Sequence, residues 1–114
     1  MAKLRTVDPV DIDTSRGAPE VIARLTVEQA DAERRFGLRF TPVANDVSPA
    51  VMALARLSTG TLVGFAKLEY DPVGGIELVQ FSKREPRDVL AELLDETDLT
   101  RDQVAWLMPP RNEP

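Results

Sequence analysis

The fold is decided by two apolar runs, TLVGFAKLEY at residues 61–70 and IELVQF at residues 76–81. Both are rich in the β-branched, aromatic and aliphatic residues that favour strands, and each alternates apolar with polar side chains over part of its length. The DPVGG segment between them, residues 71–75, has the composition of a turn. This pattern predicts a β-hairpin over residues 61–82. Because an isolated hairpin is marginally stable in water, we also expect a third strand and a covering helix.

Two segments before the hairpin are candidates for those elements. The LRFTPV segment, residues 38–43, predicts a strand, and Pro42 places it at an edge because proline has no N–H to donate to a ladder. The AVMALARL segment, residues 50–57, follows Ser48-Pro49, a helix cap and a proline suited to the first helical position. We therefore expect a helix over residues 50–57. A strand is the alternative, because Thr59-Gly60 could form the turn of a second hairpin.

Residues 19–27 admit both a helix and a strand. In the first interpretation a helix begins at Pro19, and Gly37 ends it in the left-handed conformation. In the second, the segment alternates as a strand, and a helix follows with Thr26 as its cap. Both interpretations give a helix over about residues 27–36. We expect the helix to extend across most of the segment.

The last third of the chain predicts two helices. Pro86 suits the start of the first helix, and Thr100 with Gln103 forms a capping box before the second, at residues 104–108. Pro109-Pro110 ends that second helix. The apolar stripe of the first helix consists of Val89, Leu90, Leu93 and Leu94. These features predict a C-terminal helical hairpin that covers the sheet.

Together, these elements predict an α+β fold with a three- to four-stranded antiparallel sheet, helices packed on one face and a C-terminal helical hairpin. The chain of 114 residues and 12.6 kDa has the size of one domain. Residues 1–17 contain Asp8-Pro9 and Gly17, which disfavour regular secondary structure. We therefore expect an extended or partly disordered N-terminal segment, called the lead below. Residues 18–114 are expected to form the single α+β domain.

The composition narrows the possible functions. Fourteen Lys and Arg residues against nineteen Asp and Glu residues give a net charge of −5, which disfavours a nucleic-acid-coating protein and a polybasic membrane binder. The absence of cysteine excludes disulfides and thiolate metal sites, and the absence of histidine removes the commonest general base. The chain shows no secretory signal and no apolar run of membrane-spanning length. We therefore expect a cytoplasmic protein with no membrane contact.

One stretch resembles a known family. The segment DVLAELLDETDLTRDQVAWLM, residues 88–108, resembles the first two helices of a helix-turn-helix DNA-binding domain. The resemblance implies a transcription regulator or antitoxin-type protein with a degenerate C-terminal helix-turn-helix. Two features oppose it. Pro109-Pro110 and the four residues after them leave no recognition helix, and from Arg84 onward four arginines stand against eight acidic residues. Nucleic acid is therefore not the expected partner.

Two other groups of acidic residues are candidates for catalysis or metal binding. Glu69 and Glu77 could face each other across the hairpin, which makes a small carboxylate-dependent enzyme a second alternative. Glutamates on the solvent face of a sheet explain the pair better. The acidic residues before Gly17 lack the glycine position and the closing glutamate of a calcium loop. We therefore predict no catalytic residue, no cofactor and no metal site.

The expected function is that of a small non-enzymatic protein-binding or regulatory module of the bacterial-type cytoplasm. Its partner would be another protein or a second copy of the chain. The predicted edge strand at 38–43 offers backbone groups for strand addition, and Trp106 is the large apolar residue near the end of the chain. Whether Trp106 lies in the core or at an interface stays open. The candidate partner-binding residues are Leu38, Phe40, Val43, Trp106 and Met108.

Overall fold

The structure, a computed structural model, describes residues 4–7, 20–43, 50–68 and 75–109. These residues contain seven strands, two α-helices and a short 3₁₀ turn at Arg101–Gln103. The strands are β1 (Arg5–Thr6), β2 (Glu20–Leu25), β3 (Thr41–Val43), β4 (Ala50–Arg56), β5 (Leu62–Leu68), β6 (Ile76–Gln80) and β7 (Val104–Leu107). The helices are α1 (Gln29–Phe36) and α2 (Pro86–Glu96).

All the described strands belong to one antiparallel sheet, in the order β1-β4-β5-β6-β2-β7. Strand β3 also pairs with β4, so β1 and β3 share the outer edge of β4. Strand β2 lies between β6 and β7, two strands that follow it at a long distance in the chain. The sheet therefore has β7 at one edge, and β1 with β3 at the other.

The predicted hairpin is confirmed as strands β5 and β6. Phe65 lies opposite Leu78 in its ladder, and both side chains are fully buried. Gly75 precedes β6 with a φ of 84°, a left-handed conformation that favours glycine. A Cβ atom at this position would also collide with the carbonyl oxygen of Leu25. The glycine is thus required by its own backbone and by the close approach of β2.

The predicted fold class is wrong in two respects. The sheet has seven strands rather than three or four, and the C-terminal helical hairpin is absent because residues 104–107 form strand β7. The capping box of Thr100 and Gln103 is present, but it begins a single 3₁₀ turn. The VAWL sequence that follows contains β-branched and aromatic residues, and β2 supplies ladder partners for it. Tertiary pairing with β2 therefore overrides the helix start.

The helix predicted at residues 50–57 is also wrong, and the strand alternative is correct. Strand β4 pairs with β5 over its whole length, from Ala50 opposite Leu68 to Arg56 opposite Leu62. Gly60, with a φ of 92°, lies in the turn between them. Good helix formers such as alanine and leucine thus occupy a strand because β5 pairs with every residue of it. The predicted cap at residues 48–49 lies outside the described residues.

Residues 20–25 form strand β2, so the preferred helical interpretation of this segment is wrong. The helix common to both interpretations is confirmed as α1, which ends at Phe36. Gly37 has a φ of 74°, and its N–H donates a hydrogen bond to the Glu33 carbonyl oxygen, as expected for a left-handed helix end. The predicted cap is not formed, because Glu28 occupies the N-cap position and makes no side-chain cap bond.

Both helices cover the same face of the sheet, which we call the helix face. The rings of Phe36 on α1 and Phe65 on β5 lie 6.5 Å apart at this face. Strand β4 contributes only the small side chains Ala53 and Ala55 here, which leaves room for the aromatic rings. Among the described residues, the largest fully buried apolar side chains are Phe36, Phe65, Ile22, Leu25, Ile76, Leu78, Leu90 and Leu93.

A smaller apolar cluster lies on the opposite face. Leu54, Gly64 and Val79 are consecutive register partners on β4, β5 and β6, and the side chains of Leu54 and Val79 are buried outside the helix-face core. A Cβ atom on Gly64 would lie 2.7 Å from Val79 Cγ2 and 3.3 Å from Met52 Sδ. Because glycine has no Cβ, the side chains of Val79 and Met52 can pack directly against the backbone at Gly64.

Of the predicted lead at residues 1–17, the structure describes residues 4–7, which include β1. The rest of that segment lies outside the described residues. The predicted edge strand at 38–43 corresponds to β3 at Thr41–Val43, which pairs with β4 on one side.

Candidate functional site

The candidate site is the sheet edge formed by β7. Trp106 in the middle of this strand is 46% exposed, and it is the exposed large apolar side chain of the described residues. Ala105 beside it is also exposed, and no residue of β7 is charged. Within the described ranges, β7 pairs with β2 on one side and with no strand on the other. The edge thus presents an aromatic ring together with backbone groups.

Two backbone hydrogen bonds hold the ends of β7 against β2. The Met108 N–H donates to the Ile22 carbonyl oxygen at 2.8 Å, just after the strand. The Thr26 N–H donates to the Gln103 carbonyl oxygen, also at 2.8 Å, just before it. Because both ends are fixed, Trp106 is presented from a rigid segment rather than from a loose terminus.

A register shift at the centre of β7 exposes Ala105 and Trp106 together. Trp106 lies opposite Arg24 and Val104 lies opposite Leu25, so Ala105 is an extra residue without a direct partner. Such a bulge bends its strand and re-aims the side chains at it. It also interrupts the regular spacing of backbone groups along the edge. The contacts that this edge can offer are therefore mainly those of its side chains.

The segment that leads into β7 is fixed by Arg35 on α1. The Arg35 guanidinium forms an ion pair with the Asp98 carboxylate, with 3.0 Å between the closest nitrogen and oxygen. It also donates to the Gln103 side-chain oxygen at 3.3 Å, and this oxygen accepts the Thr100 N–H at 3.1 Å. Helix α1 therefore positions the 3₁₀ turn from which β7 begins.

The structure separates the predicted partner-binding residues into two groups at opposite edges. Trp106 and Met108 lie at the β7 edge, where Met108 is half-buried against the core. Leu38 is buried, and Phe40 is half-buried against the same core. Val43 lies on β3, opposite Ala50 of β4. Of the four whose side-chain burial the structure describes, Trp106 is the exposed residue.

Sequence reasoning identified Trp106 but missed the strand that carries it. The bulge at Ala105 was not predicted, because the segment was interpreted as a helix. The available signal was the sequence VAWL itself, which has no charged residue and no polar face for a solvent-exposed helix.

The described residues offer little support for a metal site, a carboxylate-dependent active site, a membrane span or a DNA-binding helix. These contain no group of three or more acidic side chains placed to hold a metal ion. Glu77 lies opposite Arg24 of β2, and its proposed partner Glu69 falls outside the described ranges. No helix in the described part of the chain has the length and apolar character needed to cross a membrane. The second helix required by the helix-turn-helix resemblance is strand β7.

Comparison with known proteins gives no further information about this edge. No protein-family model, curated protein sequence or solved structure matches the chain.

Proposed function

We propose that this chain is a non-enzymatic protein-binding module whose partner contacts the β7 edge through Trp106. The observation that supports the proposal is the 46% exposure of Trp106 on a strand held at both ends. Tryptophan is among the residue types that dominate binding energy when a partner buries them. A strand whose backbone is held at both ends also loses little backbone freedom on binding, which favours affinity.

Charge and composition support a protein partner over nucleic acid. The chain has a net charge of −5, and β7 contributes no basic residue that could contact a phosphate. Among the described residues, Arg101 before the strand is followed at once by Asp102, and Arg24 opposite Trp106 has Glu77 across from it on β6, so each basic residue near the edge has an acidic neighbour. The proposal of a non-enzymatic role rests on the absence of histidine and cysteine from the sequence.

Site-specific photocrosslinking provides the first test. A photoreactive phenylalanine analogue replaces the exposed Ala105 beside Trp106 in one sample and the exposed Ala91 of α2 in a matched control, so that Trp106 is kept in both. We expect a specific crosslinked protein from position 105 and none from position 91. Identical crosslinking from both positions would indicate nonspecific contact and contradict the proposal.

The crosslinked protein is then purified and its affinity for this chain measured directly. Trp106→Ala is expected to weaken binding by about 30-fold or more, which corresponds to roughly 2 kcal/mol. The exposed residue Lys83 provides a control, because Lys83→Ala should leave the affinity unchanged. Trp106 is the sole tryptophan of the chain, so a blue shift of its fluorescence would report its burial in the complex. Equal affinity of wild type and Trp106→Ala would exclude the β7 edge as the site.

A further inference from the structure

A second interaction surface lies at the other side of the sheet, where residues 4–7 occupy the outer edge of β4. The Leu4 N–H donates to the Phe36 carbonyl oxygen and the Val7 N–H donates to the Leu54 carbonyl oxygen, both at 3.0 Å. Between them, Arg5 lies opposite Arg56 and Thr6 lies opposite Ala55. These four residues therefore dock as a short extended segment.

The docked segment has one buried anchor. Leu4 is 7% exposed and belongs to the helix-face core, whereas Arg5 and Thr6 are exposed. The receiving site consists of backbone acceptors on α1 and β4 and an apolar hollow for the leucine. It cannot extend far along β4, because β3 pairs with the first part of the same edge, at Ala50 to Met52. The site thus fits an extended segment of about four residues that begins with a large apolar side chain.

We infer that this site also accepts residues 4–7 of a second copy of the chain, so that two copies exchange β1 and form a dimer. The contacts made by an exchanged segment are the same as those made within one chain, which makes exchange an inexpensive route to a dimer. This site is separate from the β7 edge.

The connection between β1 and β2 decides which copy supplies the segment. The two strands are four strand positions apart in the sheet, a separation of about 19 Å. Thirteen Cα–Cα steps join Val7 to Glu20, and a chain of this length can reach about 45 Å, which exceeds that separation. Linkage within one chain gives an effective concentration on the order of millimolar, which favours the monomer in dilute solution. If the connection between β1 and β2 is too short, residues 4–7 cannot reach β4 of their own chain. The site on β4 can then be filled only by residues 4–7 of another copy.

The test is a deletion of residues 9–17. The remaining connection reaches at most about 14 Å, which is less than the distance that it must span. We expect this variant to have the mass of two chains by light scattering at tens of micromolar concentration. The same deletion combined with Leu4→Asp, which removes the apolar anchor, is expected to be a monomer. A folded deletion variant that stays monomeric overturns the inference.

The intact wild-type chain provides a measurement that does not depend on a deletion. We expect its dimer fraction in sedimentation to rise as the concentration approaches the millimolar range. That dimer should persist in Trp106→Ala and disappear in Leu4→Asp. A chain that is entirely monomeric at millimolar concentration contradicts the inference. A dimer that is lost in Trp106→Ala and kept in Leu4→Asp would assign self-association to the β7 edge and also overturn it.

Discussion

Arg35 and Asp98 join helix α1 to the segment that leads into β7. The Arg35 Nε donates to both carboxylate oxygens of Asp98, at 3.1 and 3.3 Å, and a terminal nitrogen of the same guanidinium donates to the Asp98 carbonyl oxygen at 3.2 Å. The guanidinium carbon lies 5.3 Å from the centre of the Phe36 ring, within the range of a cation–π contact. One side chain thus connects the helix face to the strand that carries Trp106.

Replacement of Arg35 should loosen this connection. We expect Arg35→Ala to lower the free energy of unfolding by about 1 kcal/mol, because the pair is partly exposed and solvent screens it. Arg35→Lys should restore only part of the loss, since lysine lacks the planar fork. The measurement is urea unfolding, combined with Asp98→Asn in a double-mutant cycle.

A matched control is available on the same helix. Arg34 pairs with Asp31 within α1 and is largely exposed, so Arg34→Ala should change stability by less than about 0.5 kcal/mol. Equal effects of Arg34→Ala and Arg35→Ala would show that the connection to β7 contributes nothing specific.

Trp106→Ala should be tolerated by the fold. Because about half of the side chain is already exposed, we expect a loss of about 1 kcal/mol or less. Phe36→Ala, which empties a fully buried site, should cost about 3–5 kcal/mol. Thermal and urea unfolding of the two variants provide the comparison. A loss comparable to that of Phe36→Ala would place Trp106 in the core and remove the basis of the proposed function.

Gly64→Ala should be destabilising despite the small size of the change. The added methyl group would lie 2.7 Å from Val79 Cγ2, and a shift of that rigid side chain should cost about 1–3 kcal/mol. Val79→Ala in the same chain removes the collision. The double variant should therefore be more stable than the sum of the two single losses predicts. Simple additivity in urea unfolding would disprove the contact.

Glu96 at the end of α2 should stabilise the turn between β4 and β5. Its two carboxylate oxygens accept the Ser58 N–H at 3.0 and 2.9 Å, and one of them also accepts the Ser58 hydroxyl at 3.1 Å. We expect Glu96→Ala to cost about 1–2 kcal/mol and to speed amide exchange in the turn. The neighbouring Asp95 is exposed, so Asp95→Ala serves as the control and should have little effect. Unchanged exchange at Ser58 in Glu96→Ala would contradict this prediction.

Local sequence patterns predicted the elements whose signals are local. The β5–β6 hairpin, the end of α1 at Gly37 and the start of α2 at Pro86 all follow from nearby residues. Strands β4 and β7 were missed because alanine, leucine and a capping box favour a helix until a neighbouring strand supplies ladder partners. The candidate site was predicted in part. Trp106 was identified from its size, but its exposure depends on the bulge, and the bulge depends on how β7 pairs with β2.

The position of β2 between β6 and β7 has a consequence for synthesis of the chain on the ribosome. At about 5–20 residues per second, β2 is synthesised several seconds before β6 and β7. During that interval Ile22, Ala23 and Leu25 have no ladder to join and no core to enter. Strand β2 can complete its pairing only after both of its neighbours have been made. Completion of the sheet is therefore expected to wait for the synthesis of β7, although β4, β5 and β6 can pair before it.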